Sequence, residues 1–170
     1  LLRNDVRIHL SASGAETKLG GIYMADDGQH VDHTVLIEHE MPHTKSEQMF
    51  KGALGGKARG VFQGNINVHE GADGSDGQLT NKTLLLSPGT EVNSKPQLEI
   101  YADDVKCSHG SAVGELDEEE LFYLRSRGIP YAQAKSILVE SFLSEVIDKF
   151  DLGELTDTFR RRITDWIQAD

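Results

Sequence analysis

The chain has 170 residues, enough for one good-sized domain or a domain with an appendage, and its 28 acidic against 17 basic residues leave a formal net charge of -11. That charge repels polyanions and argues against nucleic acid as the main partner, and no apolar run approaches the roughly 18 residues of a helical membrane span. A single cysteine, Cys107, excludes an internal disulfide framework and points to a reducing, intracellular setting.

Leu1 and Leu2 lead straight into an alternating run, with no methionine and no signal-like start, so the chain reads as a piece of a longer protein. Up to about residue 115 the apolar residues come in short, β-branched clusters at 6–10, 19–24, 33–39, 48–54, 59–68, 83–86, 97–102 and 105–113. Their lengths, and the Gly, Asp, Asn and Ser between them, predict strands and turns. Regular short strands build a sandwich, a barrel or a solenoid. Tight Asn-Gly or Asp-Gly pairs between neighbouring clusters are scarce, and each cluster is too short and too polar on one side to stand alone, which favours stacked coils. Residues 69–80, HEGADGSDGQLT, show no apolar anchor and are expected to form a mobile surface excursion.

The pattern changes at about residue 116, which divides the chain into a β part, 1–115, and a helical part, 116–170. Asp117 with Glu120 makes a capping-box-like start, and Gly128 a stop. Pro130 fits the first turn of a second helix, on which Ala134, Leu138, Phe142, Val146 and Phe150 form a stripe flanked by Ile137 and Ile147. A third helix from about Glu154 places Leu155, Phe159, Ile163, Trp166 and Ile167 on one side. Three such helices should pack on each other or on the β part.

Cys107 and His109 lie two apart in the segment DDVKCSHG, so in a strand they share a face and could converge on one soft metal or sulfide. One thiol cannot hold a cluster or zinc alone, so further ligands would come from a second chain; a small buried hydrophobe is the competing reading. Residues 39–43, HEMPH, match the H-E-x-x-H pattern, but Pro42 would break the continuous helix that zinc-protease chemistry requires. Among His30, His33, His39 and His43, a strand over 31–39 turns His33 and His39 inward with Val31, Val35 and Ile37 as structural core histidines. A metal-dependent enzyme built on His33, His39 and His43 is the alternative. The acidic run at 115–120 reads as a solvated helix start, and the glycine-rich run at 52–60 lacks the phosphate-loop order, so any ATP chemistry must come from a partner.

Residues 81–129 closely resemble the signature region of the SufB/SufD family of iron–sulfur cluster assembly scaffolds, most diagnostically in KPQLEIYA, VKCSHG and LFYLRSRGI, and the Cys-Ser-His-Gly form is nearer the SufD branch. The resemblance implies a right-handed parallel β-helix followed by a C-terminal helical domain. It implies a non-catalytic scaffold that pairs with a SufB-like protein through the β-helix and docks a SufC-type ABC ATPase through its helices. It also implies a transient iron–sulfur cluster shared with SufB, with His109 as a candidate ligand and Cys107 a weaker one. For the ATPase the candidates are Phe122, Tyr123, Arg125, Arg127 and Tyr131. The setting would be the cytoplasm, or a plastid stroma. Relative to the full-length pattern the early coils are missing, so an uncovered coil near Leu1 is expected to make the chain dimerise. A solenoid that only displays a binding surface is the remaining alternative.

Overall fold

Alternation builds the first part of the molecule. The computed structural model describes residues 1–150 and 152–169. Eight strands come first among these: β1 (Leu2–Leu10), β2 (Glu16–Ala25), β3 (His30–His39), β4 (Lys45–Leu54), β5 (Arg59–Val68), β6 (Asp76–Leu85), β7 (Glu91–Ile100) and β8 (Lys106–Gly114). They form two four-stranded parallel sheets in the orders β1-β3-β5-β7 and β2-β4-β6-β8. Paired residues are 29 to 32 positions apart along the chain, as Leu2 with Val31 and Arg59 with Glu91. One strand from each sheet plus two corners therefore makes one turn, and about four turns stack into a β-solenoid. Parallel neighbours cannot be joined by a two-residue hairpin, which is why hairpin turn pairs are scarce in the sequence.

The core lies between the two sheets. In β3 the exposure alternates strictly, with Val31, His33, Val35, Ile37 and His39 inward. Phe62, Ile66 and Val68 of β5 continue the same rows, each wholly buried. Burying such a side chain contributes about 1.5–3 kcal/mol. The space between the sheets is narrow: Gly52 lies under the Tyr23 ring, and any side chain there would collide with it.

The expected excursion at 69–80 is instead largely part of this core. β6 begins at Asp76, and Ala72, Ser75 and Leu79 are buried. Leu79 is the anchor, and the small residues around it are needed by a tight corner. Ser75 Oγ donates to the Ala72 carbonyl at 2.7 Å and meets Thr44 Oγ1 of the preceding corner at 2.8 Å. A side chain on Gly77 would lie 3.4 Å from both Cys107 Sγ and His39 Nε2. Pro96 sits in β7, the last strand of its sheet, where a missing N–H breaks no inter-strand bond toward the next turn.

Three helices follow: α1 (Glu118–Ser126), α2 (Tyr131–Lys149) and, after a 3-10 turn at Gly153–Leu155, α3 (Thr156–Gln168). The Asp117 side chain caps α1 by accepting from the Glu119 and Glu120 backbone N–H groups, at 2.8 and 3.2 Å. Gly128, at φ +86°, turns the chain after α1 as only glycine does readily. Pro130 occupies the N-cap of α2 and not its first turn. The buried face of α2 is Ala134, Val139, Leu143, Val146 and Ile147, which rotates the expected stripe, and Ile137 is exposed. Apolar residues occur almost all round this helix, so its periodicity could not select a face. Contact with Ala53 of β4 and Ile163 of α3 selects it. The helices thus cover the outer face of the second sheet, over β2 and β4.

Candidate functional site

The solenoid ends at β7 and β8, and each of these strands has a neighbour on one side only within the chain. Their unpaired backbone edges face the same end. An open edge of this kind is a ready template for another strand. The inward-facing rows of β8 place Cys107 beside Gly77, His109 beside Leu79 and Ser111 beside Asn81. In the interior such positions are enclosed by the next turn. At β8 no further turn follows, and His109 and Ser111 are exposed.

Cys107 and His109 therefore differ although they share a face. The thiol is half-buried and packs on the core beside His39. Burial pushes its pKa up, the Gly77 backbone N–H opposes this, and the nearby Asp76 carboxylate adds to the rise. It is accordingly a thiol and not a thiolate near neutral pH, and a poor ligand until a metal displaces its proton. The His109 imidazole stands at the rim and open to solvent.

A polar seam connects that rim with the interior. Ser111 Oγ donates to Ser94 Oγ at 2.8 Å, and Asn81 Nδ2 donates to the same oxygen at 2.9 Å. Tyr23 Oη donates to Asn81 Oδ1 at 3.1 Å and meets Thr83 Oγ1 at 2.6 Å. The seam spans β2, β6, β7 and β8 and satisfies buried groups that an apolar core would leave unpaired. Burial raises the Tyr23 pKa, opposed by those two hydrogen bonds.

His33 and His39 point into the core. His39 is fully buried, with Nδ1 hydrogen-bonded to Thr44 Oγ1 at 2.8 Å and Nε2 to Ser46 Oγ at 2.9 Å. His33 hydrogen-bonds Asn4 Nδ2 at 3.3 Å and stacks between Tyr23 and Phe50, with ring centroids at 5.3 and 6.3 Å. Burial lowers both pKa values, with Asp32 opposing at His33 and Asp76 at His39. His43 is exposed in the corner after β3, at φ +61°, with its ring over Gly74. Among the described residues no three His, Cys, Asp or Glu side chains are grouped to hold a metal ion. The HEMPH segment spans a strand end and a corner, where no helix exists to align its histidines.

A second patch lies at the corner between α1 and α2. Phe122 is 73% exposed, and Tyr123 and Tyr131 are more than half exposed. The Arg127 guanidinium stands over the Tyr123 ring at 4.9 Å, and that of Arg125 over Tyr131 at 5.7 Å. Leu121 alone of α1 is buried. Two exposed cation–aromatic pairs thus stand at this corner, with Phe122 exposed beside Tyr123 on α1, a composition of the kind that dominates binding hot spots.

Sequence reasoning passed over Lys51, which is 1% exposed and paired to Glu145 of α2. Its signal was a lone cation inside the apolar run of β4, MFKGAL. It also passed over the Tyr23 seam, whose members are distant in sequence and meet only through stacking of turns.

The family model described as SUF system FeS cluster assembly, SufBD core domain, matches residues 1–142. The iron–sulfur cluster assembly protein SufD of Escherichia coli (strain K12) is 40% identical over 148 residues, which is 87% of this chain and 35% of that protein. A SufBD family iron–sulfur cluster assembly protein of Mycobacterium leprae is 38% identical over 165 residues, 92% of this chain and 42% of that protein. Protein ABCI7, chloroplastic, of Arabidopsis thaliana is 39% identical over 165 residues, 95% of this chain and 34% of that protein. The chain thus spans between about a third and two fifths of the length of these relatives.

Proposed function

We propose, from the premise that this chain belongs to the SufB/SufD family and is SufD-like, that it acts as a non-catalytic scaffold in iron–sulfur cluster assembly. Its open β7 and β8 edges pair with a SufB-like partner, and the His109 imidazole there contributes to holding a nascent cluster. The cluster is cargo, and the ligands this chain lacks come from the partner. Imidazole suits iron, and mixed, ligand-poor coordination suits a cluster that must be handed on. The observation that carries the reading is the exposure of His109 on an inward row at the last turn, whereas Leu79 and Gln48, stacked behind it on the same row, are buried.

The exposed patch of Phe122, Tyr123, Arg125, Arg127 and Tyr131 docks a SufC-type ABC ATPase, since this chain has no phosphate loop of its own. Alone, the chain forms a homodimer through an exposed coil edge, in imitation of the mixed pair. The setting is the cytoplasm, or the stroma where a relative is chloroplastic.

The test is anaerobic assembly with SufB-like and SufC-type partners, followed by iron and sulfide analysis. Wild type is expected to yield a complex carrying both elements, His109→Ala the same complex depleted of them, and Phe122→Ala with Arg127→Ala a complex lacking the ATPase. Undiminished iron and sulfide in the His109→Ala complex would remove the ligand role. Failure of wild type to retain any ABC-type ATPase would remove the docking role.

A further inference from the structure

A buried ammonium lies in the contact between the solenoid and its helices. Lys51 projects from the outer face of β4, beside Ala53 and away from the core. It is 1% exposed because α2 lies over it. Glu145 of α2 pairs with it, and the Phe142 ring of α2 covers it at 4.1 Å. One turn further along, Lys149 Nζ meets Glu47 Oε1 at 2.6 Å, again between α2 and β4. The row Phe142, Glu145, Lys149 therefore runs antiparallel to the row Lys51, Glu47.

The apolar part of this contact is thin on the sheet side. Ala53 is its only fully buried member there among the described residues, with Ile22, Met24 and Leu86 partly buried. Beside it a cleft of about 710 Å³ is lined by Ile22 and Met24 of β2 and Phe159 of α3, and at its edge Val146 of α2 and the Phe150 ring just beyond α2 close directly on Gly20, where any side chain would collide with that ring. The covalent link from β8 runs through the short segment 115–117, with a glycine corner at Gly128 beyond α1.

Such a contact sets position more than strength. The pair is buried on the lysine side only: the Glu145 side chain is more than half exposed, so solvent screens the attraction and the net contribution of the pair is small. Loss of the glutamate is the costly half, because the Lys51 ammonium then remains unpaired where it is buried. Docking in any other register would leave Lys51 in that condition, whereas full release returns it to water. Burial pushes the Lys51 pKa down, Glu145 opposes this, and Lys82 adds to the fall.

We propose that the helices form a movable arm whose docked position on the sheet is set by Lys51, and that breaking the Lys51–Glu145 contact releases α2 from β4 without unfolding the solenoid. The inference rests on the contact alone and is independent of cluster assembly. Lys51 is a positioning residue: it selects one register and makes that register releasable.

The experiment is hydrogen exchange read by mass spectrometry on the purified chain, with the rate of Lys51 acylation by an amine-reactive ester measured in parallel. Glu145→Gln is expected to raise both Lys51 acylation and exchange of the 139–147 amides by about tenfold or more, with exchange in β3 and β5 unchanged. Adding Lys51→Met to Glu145→Gln removes the stranded charge, and exchange over 139–147 is expected to return to the wild-type rate or below. A rise smaller than about tenfold overturns the inference, as does acceleration of β3 and β5 together with α2, which would mean that the arm is not separate. Exchange in the double variant as fast as in Glu145→Gln alone also overturns it, because the charge would then not be what holds the register.

Discussion

His39 and His109 are both on inward-facing rows of the solenoid, yet one is core and the other is surface. His39 lies in β3, with turns stacked on both sides, two hydroxyl partners and no exposure. His109 lies in β8, with a turn on one side only, and stands exposed. The residue type and the strand alternation are the same. What differs is whether another turn follows, and that decides whether an imidazole is a satisfied interior group or one available for coordination. Cys107 sits between the two conditions: it is on the last turn but leans back over Gly77 toward His39.

Substitutions can break this contrast at graded cost. The largest effect is expected from Phe62→Ala, which empties a wholly buried site stacked on Phe50 at 4.9 Å, with a loss of about 3–5 kcal/mol read from the midpoint of denaturant unfolding. His39→Ala leaves Thr44 and Ser46 without their shared partner and should lose about 2 kcal/mol in the same measurement. The same variant tests the sign of the imidazole titration. The folded pKa of His39 lies below the ordinary 6.5, so the unfolded chain binds the extra proton first. Wild-type stability is therefore full above 6.5 and falls as the pH drops from there through the folded pKa, and His39→Ala should flatten that fall, leaving the share due to His33. Melts at pH 7.5 and 5.0 with equal acid sensitivity in both proteins would contradict this.

Asp117→Ala removes the cap of α1 and is expected to lose about 1 kcal/mol. Helical circular dichroism during a thermal melt should show it. The smallest effect is that of His109→Ala, within about 0.5 kcal/mol of wild type, since the ring is exposed. A clear destabilisation there would mean that the rim imidazole supports the fold and would erase the contrast with His39.

Much of the architecture was legible because burial leaves a short-range trace. The cluster at 59–68 coincides with β5, and those at 33–39 and 48–54 fall inside β3 and β4. Asp117 and Gly128 marked the ends of α1 through local backbone chemistry. The stretch at 69–80 misled because its one large anchor, Leu79, is surrounded by small residues, and small residues signal a loop unless a tight corner is known to require them. The buried face of α2 was illegible for the opposite reason: too many positions are apolar for a period to choose among them.

The candidate site divides in the same way. The Cys107 and His109 pair was named from a contiguous motif and the residues of the α1–α2 corner from the family resemblance, and the structure pairs Tyr123 with Arg127 and Tyr131 with Arg125 there. That Cys107 turns inward while His109 stays at the rim depends on the neighbouring turn, which lies about 30 residues away along the chain. The same holds for the Tyr23 seam and for Lys51 under α2.

By itself the sequence determined most of the strands, the switch to helices and the caps of α1, because each depends on side chains within a few positions and on backbone preference. Only the tertiary structure decided which turn is last, which face of α2 is covered and which charge is buried. Those outcomes depend on residues brought together by stacking across turns, where no local period carries the information.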